Sequence, residues 1–344
     1  MSEEAARGAI FRLPRGIKRL VGEWDQTMDI SVGVVGLGIM GGAIVEHIAR
    51  KSEVVYGCDI DAQAKDRARG VGVRLTEDVS TLAQRCTIVM TSLPSFAAAK
   101  SVIDDIAAAA EPGCIIAELS TFSLDQKLAL RDKAATAGHV MIDCPLSGTG
   151  AQAKTGDVVV YASGEKAAVE SCEPIFAQFS RGCFNLGAFG NGSRLKFIAN
   201  HLVAIHNVAS AEAMVLAMKA GLDPKQVVEV IRAGAGSSRT FEMRAPLMAE
   251  NRYEPPTMQL DTWFKDIDVI DAFARGMKVP TPLFDSTKAI YAAASSMGYG
   301  AVDTASVCAV LEQMAGLVRS PPGGGIQDGT ERPRDVVQSS TPNR

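Results

Sequence analysis

Three groups of residues in this 344-residue chain have types and spacings that suit chemistry. The first is Gly36-Leu37-Gly38-Ile39-Met40-Gly41, which follows a valine-rich run and precedes a stretch with helical periodicity. In such a strand–turn–helix unit Gly36 permits the tight turn, Gly38 lets the backbone approach a pyrophosphate, and Gly41 lets helix and strand pack closely. The amides at the helix start then face the phosphates. Asp59 follows Gly38 by 21 residues, at the end of a second strand-like run, placed to accept hydrogen bonds from adenosine ribose hydroxyls. The second group comprises the loops Ser92-Leu93-Pro94, Leu119-Ser120-Thr121 and Pro145-Leu146-Ser147-Gly148-Thr149-Gly150. Each follows a strand-like run, where open α/β sheets bind their ligands. The third is Lys196 with Asn200, four residues apart on a helical stretch and therefore on one face. Such a pair can move a proton to or from a substrate oxygen. Spacing alone describes a solvated lysine and a helix-surface asparagine equally well, and that is the commoner case.

The elements that must position these groups follow from periodicity. Strand-like runs at 30–36, 53–58, 71–75, 87–91, 114–118, 140–143 and 157–162 alternate with helical stretches at 43–50, 95–110 and 123–137. This predicts a doubly wound, Rossmann-type parallel sheet. After Gly190-Asn191-Gly192-Ser193 the β pattern stops. A long helix is predicted over 194–220, with further helices near 224–232, 238–250, 262–276, 283–297 and 303–317. The expected order is an N-terminal extension (1–28, flexible), a dinucleotide-binding domain (29–190), an all-helical substrate and dimerisation domain (191–318) linked by one long helix, and a disordered tail (319–344). From Ser320 onward the chain reads Pro-Pro-Gly-Gly-Gly and then turns polar and charged, too little apolar surface to order itself.

Composition narrows the function classes. A chain with 47% apolar and 22% charged residues can bury an ordinary core. A net charge of −4 gives no field that attracts nucleic acid. Apolar runs are broken by charge, His or Gly before reaching the ~20 residues that cross a bilayer, so no membrane partner is expected and a cytoplasmic location is. The seven cysteines have no C-x-x-C pair and no neighbouring histidine, which suits buried thiols rather than disulfides or zinc. The four histidines show neither triad nor metal spacing, so no metal is expected.

The glycine turn, Leu93-Pro94, Ser120-Thr121, Asp143-Cys144-Pro145-Leu146-Ser147-Gly148, the run from Gly190 to Asn200, and Phe264-Lys265-Asp266 together resemble the β-hydroxyacid dehydrogenase family across about residues 30–317. The resemblance implies an NAD-dependent oxidoreductase acting on a small 3-hydroxy acid or its semialdehyde, assembled as a homodimer or homotetramer. It makes Lys196 the general acid/base, with Asn200 orienting it or the substrate hydroxyl. Ser147, Gly148 and Thr149 would hold the substrate carboxylate, largely through backbone amides. Leu93, Pro94 and Thr121 would border the nicotinamide, Lys265 would close over the cofactor, and Asp266 would hold a helix end or pair with a base. Departures are informative. Decarboxylating relatives that act on 6-phosphogluconate carry His and Glu where this chain has Ala199 and Val203, and Thr149 replaces a usual glycine. The rival from another class is a non-catalytic NAD(P)-binding, oligomeric interaction module, against which Lys196 and Asn200 both count.

Overall fold

The computed structural model describes residues 30–51, 54–319 and the strand Gln327–Asp328. The N-terminal extension expected at 1–28 lies outside the described residues, as does most of the tail. Gln327–Asp328 pairs antiparallel with Leu317–Val318.

The chain opens as alternating strands and helices. These are β1 (Val32–Val35), α1 (Ile39–Lys51), β2 (Val55–Cys58), α2 (Ala62–Gly70), β3 (Arg74–Leu75), α3 (Val79–Ala83), β4 (Ile88–Thr91), α4 (Phe96–Ala109), β5 (Ile115–Glu118), α5 (Leu124–Thr136) and β6 (Val140–Asp143). The six strands form one parallel sheet in the order β3-β2-β1-β4-β5-β6. Strand order therefore reverses between β1 and β4, and the crevice at that reversal is where such folds take ligands. Strand residues alternate between two apolar layers, as period-two geometry requires. Val32, Val34, Met90 and Ala117 pack with α1, while Val35, Val89, Ile116 and Met141 pack with α4 and α5.

The strand-like run at 157–162 does not join this sheet, which corrects the expectation of one continuous alternation. After β7 (Leu146–Ser147) and the short α6 (Gly150–Lys154) it becomes β8 (Val159–Ala162). That strand pairs with β7 and, beyond α7 (Lys166–Phe179), with β9 (Gly182–Asn185) in a separate three-stranded sheet. A bridge between Asp143 and Ser163 ties that sheet to the end of β6. Strand β9 escapes sequence reading because Gly-Cys-Phe-Asn is a half-exposed edge without apolar alternation.

The helices that follow are α8 (Asn191–Lys219), α9 (Pro224–Arg232), α10 (Arg239–Glu250), α11 (Leu260–Gly276), α12 (Pro282–Ala294) and α13 (Val307–Met314). The chain divides into two compact units. The first runs to Asn200 and takes back Asp268–Met277; the second comprises His201–Ile267 and the chain from Lys278. The first unit thus extends past the boundary read from the sequence at 190/191. The opening turns of α8 pack with it, and the Phe197 and Phe273 rings lie 5.3 Å apart. In the second unit Asn207 Nδ2 donates to Tyr291 Oη (3.1 Å) and to the Thr304 carbonyl (2.9 Å). A buried Arg244–Asp303 ion pair at 2.8 Å joins α10 to the turn before α13.

Helix α8 is long and apolar enough, by length and composition, to cross a bilayer, contrary to the expectation that no run would be. Half of its most apolar window is buried inside the protein, as in a core helix, and Lys196, Asn200 and Asn207 are buried on it.

Candidate functional site

All the loops singled out above leave the carboxyl ends of neighbouring parallel strands. The glycine turn follows β1. Gly36 has φ = 88° and its N–H donates to the Cys58 carbonyl at 2.9 Å. A Cβ on Gly36 would stand 2.2 Å from the Ser92 carbonyl, and one on Gly41 would stand 1.8 Å from the Gly36 carbonyl. Backbone packing therefore demands glycine at both. At Gly38 a Cβ would meet nothing within 4 Å, and the residue is exposed. The outer two glycines thus serve the fold, whereas the middle one leaves open space beside the unsatisfied amides that begin α1. These residues fit a pyrophosphate.

Asp59, just after β2, is fixed against this turn. Its Oδ2 accepts from the Leu37 N–H at 2.5 Å and its Oδ1 from the Asp61 N–H at 2.8 Å. Asp61 then caps α2 by accepting from the Ala64 N–H. Leu37 is buried, Met40 is half-buried, and Ile39 is 76% exposed at the mouth of the turn. One methyl of Ile39 lies so close to Gly150 that a Cβ there would stand 2.2 Å from it. Gly150 thereby lets the dinucleotide turn and the 147–150 loop touch.

The loops after β4 and β5 are joined by hydrogen bonds. The Leu93 N–H donates to Ser120 Oγ at 2.8 Å, and the Ser120 N–H donates to Glu118 Oε1 at 2.9 Å. Pro94 is exposed; Leu93 and Thr121 are half-buried. In the loop after β6, Gly148 has φ = 144°, and a Cβ there would press within 2.8 Å of Val158. Thr149 is buried and begins α6 with a capping box: its amide donates to Gln152 Oε1 (3.0 Å) and its hydroxyl accepts from the Gln152 N–H (3.4 Å). Thr149 therefore acts on helix α6 through Gln152, a use that its motif position did not disclose.

Helix α8 begins on the end of β6. The Ser193 N–H donates to Asp143 Oδ2 at 2.7 Å and the Ser193 hydroxyl to Oδ1 at 2.8 Å, so a buried carboxylate caps the positive end of a 29-residue helix. The Gly192 N–H donates to Ser163 Oγ at 2.9 Å, and that hydroxyl donates in turn to the Asp143 carbonyl (3.3 Å). A Cβ on Gly192 would stand 2.2 Å from the Tyr161 carbonyl. This close seat explains why the helix starts at Asn191 rather than at 194: Gly192 sits in its first turn against bare backbone. Lys196 lies three residues beyond Ser193, about 4.5 Å of helix rise at ~1.5 Å per residue. It is buried at 7% exposure, and Asn200, one turn further, at 6%. The solvated reading of this pair is thereby removed. Lys265 and Asp266 stand on α11 in the second unit, the lysine exposed and the aspartate buried.

Sequence reading missed the buried ions behind these loops. Glu118 closes β5, Asp143 closes β6, and Lys127 lies on α5; all three are 0% exposed. Lys127 is ion-paired to Glu118 and to Asp143, the latter at 3.0 Å. Burial opposes its charge, but the two carboxylates overcome that and raise its pKa above the ordinary lysine value. A charged residue ending an otherwise apolar buried strand, as in Ile-Ile-Ala-Glu and Val-Met-Ile-Asp, is the signal that could have found them. All seven cysteines are free thiols, and among the described residues no group of His, Cys, Asp or Glu could hold a metal ion.

Residues 31–187 match the family described as the NAD binding domain of 6-phosphogluconate dehydrogenase. Residues 190–311 match the family described as NAD-binding of NADP-dependent 3-hydroxyisobutyrate dehydrogenase. An L-threonate dehydrogenase from Cupriavidus necator is 31% identical over 83% of this chain and 97% of its own length. The crystal structure of a 3-hydroxyisobutyrate dehydrogenase from Salmonella typhimurium shares 27% identity and a TM-score of 0.75, covering 82% of this chain and all of that one. A Mycobacterium tuberculosis 3-hydroxyisobutyrate dehydrogenase with L-serine, at 24% identity, 83% and 99% coverage and a TM-score of 0.75, shares the fold. With a dinucleotide turn, a helical unit and both matched regions in order along one chain, this protein belongs to the β-hydroxyacid dehydrogenase family of NAD(P)-linked oxidoreductases.

Proposed function

We propose that this enzyme oxidises a small 3-hydroxy acid reversibly to its semialdehyde or keto acid, with NAD as cofactor and Lys196 as general acid/base. The observation that carries this reading is the placement of Lys196: buried, beside Asn200, on a helix whose first turn is hydrogen-bonded to the end of β6, the strand from which the 144–150 loop departs. NAD, held at the glycine turn and Asp59, would supply the acceptor for hydride from the carbinol carbon. Lys196 takes the hydroxyl proton in that direction and returns it in the other, and Asn200 orients the hydroxyl. Because the Thr149 amide is engaged by Gln152 and Ser147 is paired with Val159 in the β7–β8 ladder, the substrate carboxylate draws on the Gly148 amide and the Ser147 hydroxyl. Leu93, Pro94 and Thr121 would border the nicotinamide ring of NAD. Relatives named for L-threonate, for 2-(hydroxymethyl)glutarate and for glyoxylate or succinic semialdehyde support a short carboxylate-bearing substrate. The test is a panel of hydroxy acids and semialdehydes assayed with both cofactors. Turnover of at least one 3-hydroxy acid or its carbonyl partner is expected, and a panel with no turnover would sink the reading.

The same reading includes a homo-oligomer built on the second unit. Leu216, Leu283 and Met314 are 72%, 68% and 72% exposed there, apolar surface of the kind that assembly covers. Sedimentation at micromolar concentration is expected to give at least a dimer; a monomer mass would refute this part.

A further inference from the structure

The ammonium of Lys127 stands where two hydrogen-bond chains meet, and each chain ends at a loop or turn that the proposed reaction uses. In one direction Lys127 pairs with Glu118, which also accepts from the Ser120 amide, and Ser120 Oγ accepts from the Leu93 amide. In the other it pairs with Asp143, which accepts from the amide and hydroxyl of Ser193 in the first turn of α8. Glu118 and Asp143 are register partners on adjacent parallel strands. Their backbones are therefore only ~4.8 Å apart, and their carboxylates repel wherever no cation stands between them. Neither can be given up as an acceptor, since each holds a buried amide, so the charge that reconciles them must be supplied at this point.

We propose that Lys127 is a positioning residue for hydride transfer: by clamping Glu118 to Asp143 it sets the spacing between the Leu93-Pro94 and Ser120-Thr121 loops and the start of the helix that carries Lys196. The proposal rests on the assignment of Lys196 and of these loops under Proposed function. A merely structural ion pair would stabilise α5 and leave the two loops indifferent to it. A clamp transmits its loss to both.

The experiment uses the full chain with Lys127→Met, which keeps the length of the side chain and removes its charge. Hydrogen exchange of the cofactor-free protein is expected to quicken in segments covering both Leu93 and Ser193. Per folded site, kcat is expected to fall about 10²-fold, the scale of a misplacement near 1 Å, with KM and NAD affinity little changed. The kinetic isotope effect from substrate deuterated at the carbinol carbon is expected to rise as hydride transfer becomes limiting. Exchange quickened only around α5, with kcat per folded site unchanged, would overturn the proposal. If Lys127→Met does not fold, Ser120→Ala decides, since it cuts one chain and leaves all three charges. Quicker exchange at Leu93 with a reduced kcat supports the clamp, and wild-type behaviour in both overturns it. Lys196→Ala is run in parallel: should it retain activity, the acid/base assignment fails, while the exchange data still judge the clamp on their own.

Discussion

Replacing Lys196 with alanine is expected to lower kcat by roughly 10²–10⁴, the usual scale for a lost acid/base group, while NAD affinity stays nearly intact. An alcohol surrenders hydride readily only as its proton leaves, so a base must lie within hydrogen-bond reach of the hydroxyl. The other buried ionisable groups behind the loops are unsuited to the task, because Glu118 and Asp143 are both paired to Lys127 and both hold backbone amides. A lysine serves as a base near neutrality only where desolvation or neighbouring positive charge favours its neutral form. Lys196→Arg should fail almost as badly, because a guanidinium keeps its proton. Asn200→Ala should cost less, since the proton carrier remains. The measurement is steady-state kinetics on the best substrate found, with NAD titrated separately. Retention of more than about a tenth of the wild-type kcat in Lys196→Ala would end the mechanism.

NAD is expected to exceed NADP in kcat/KM by roughly 10³. The Asp59 carboxylate is pinned beside the glycine turn by the amides of Leu37 and Asp61, so it cannot swing away from a cofactor phosphate without breaking both bonds. A 2′-phosphate ~4 Å from it, at an effective dielectric of ~20, is repelled by roughly 4 kcal/mol, which is about three decades. The next two residues, a fully exposed Ile60 and Asp61, bring no cation to offset that. Asp59→Asn keeps an acceptor for the Leu37 amide while removing the charge, and should narrow the ratio more than it reduces turnover. Equal kcat/KM for the two cofactors, or an advantage for NADP, refutes the assignment. The ratio is worth measuring because the family description matched by the helical half names an NADP-dependent dehydrogenase.

Loss of the Lys127 charge illustrates a second, energetic consequence of the same cluster. Removing one partner from a buried ion pair commonly costs ~3–5 kcal/mol, because the remaining charge is stranded in low dielectric. Here two carboxylates would be stranded on neighbouring strands, partly relieved by the amides of Ser120 and Ser193. A lowered melting temperature is therefore expected alongside the kinetic effect, which is why kcat must be counted per folded site.

By itself the sequence determined the strand–glycine turn–helix unit, Asp59 at the end of the second strand, and the helical second half. Each is dictated over a short span: apolar runs of four or five residues, glycines where backbone approaches backbone, and a 3.6-residue period. It also marked Lys196 and Asn200 as a pair, though spacing could not say whether they faced water. Tertiary structure decided that, because burial of α8 depends on Asp143 and Ser163, 50 and 29 residues from the turn they hold. It also decided that the run at 157–162 leaves the main sheet, since strand pairing is a choice of partner that a strand's own pattern does not contain. Lys127 was legible only as one more charge in a polar helical stretch. Its meaning required Glu118 and Asp143, register partners whose strands are joined by α5 itself, and long-range electrostatics of that kind leaves no period along the chain.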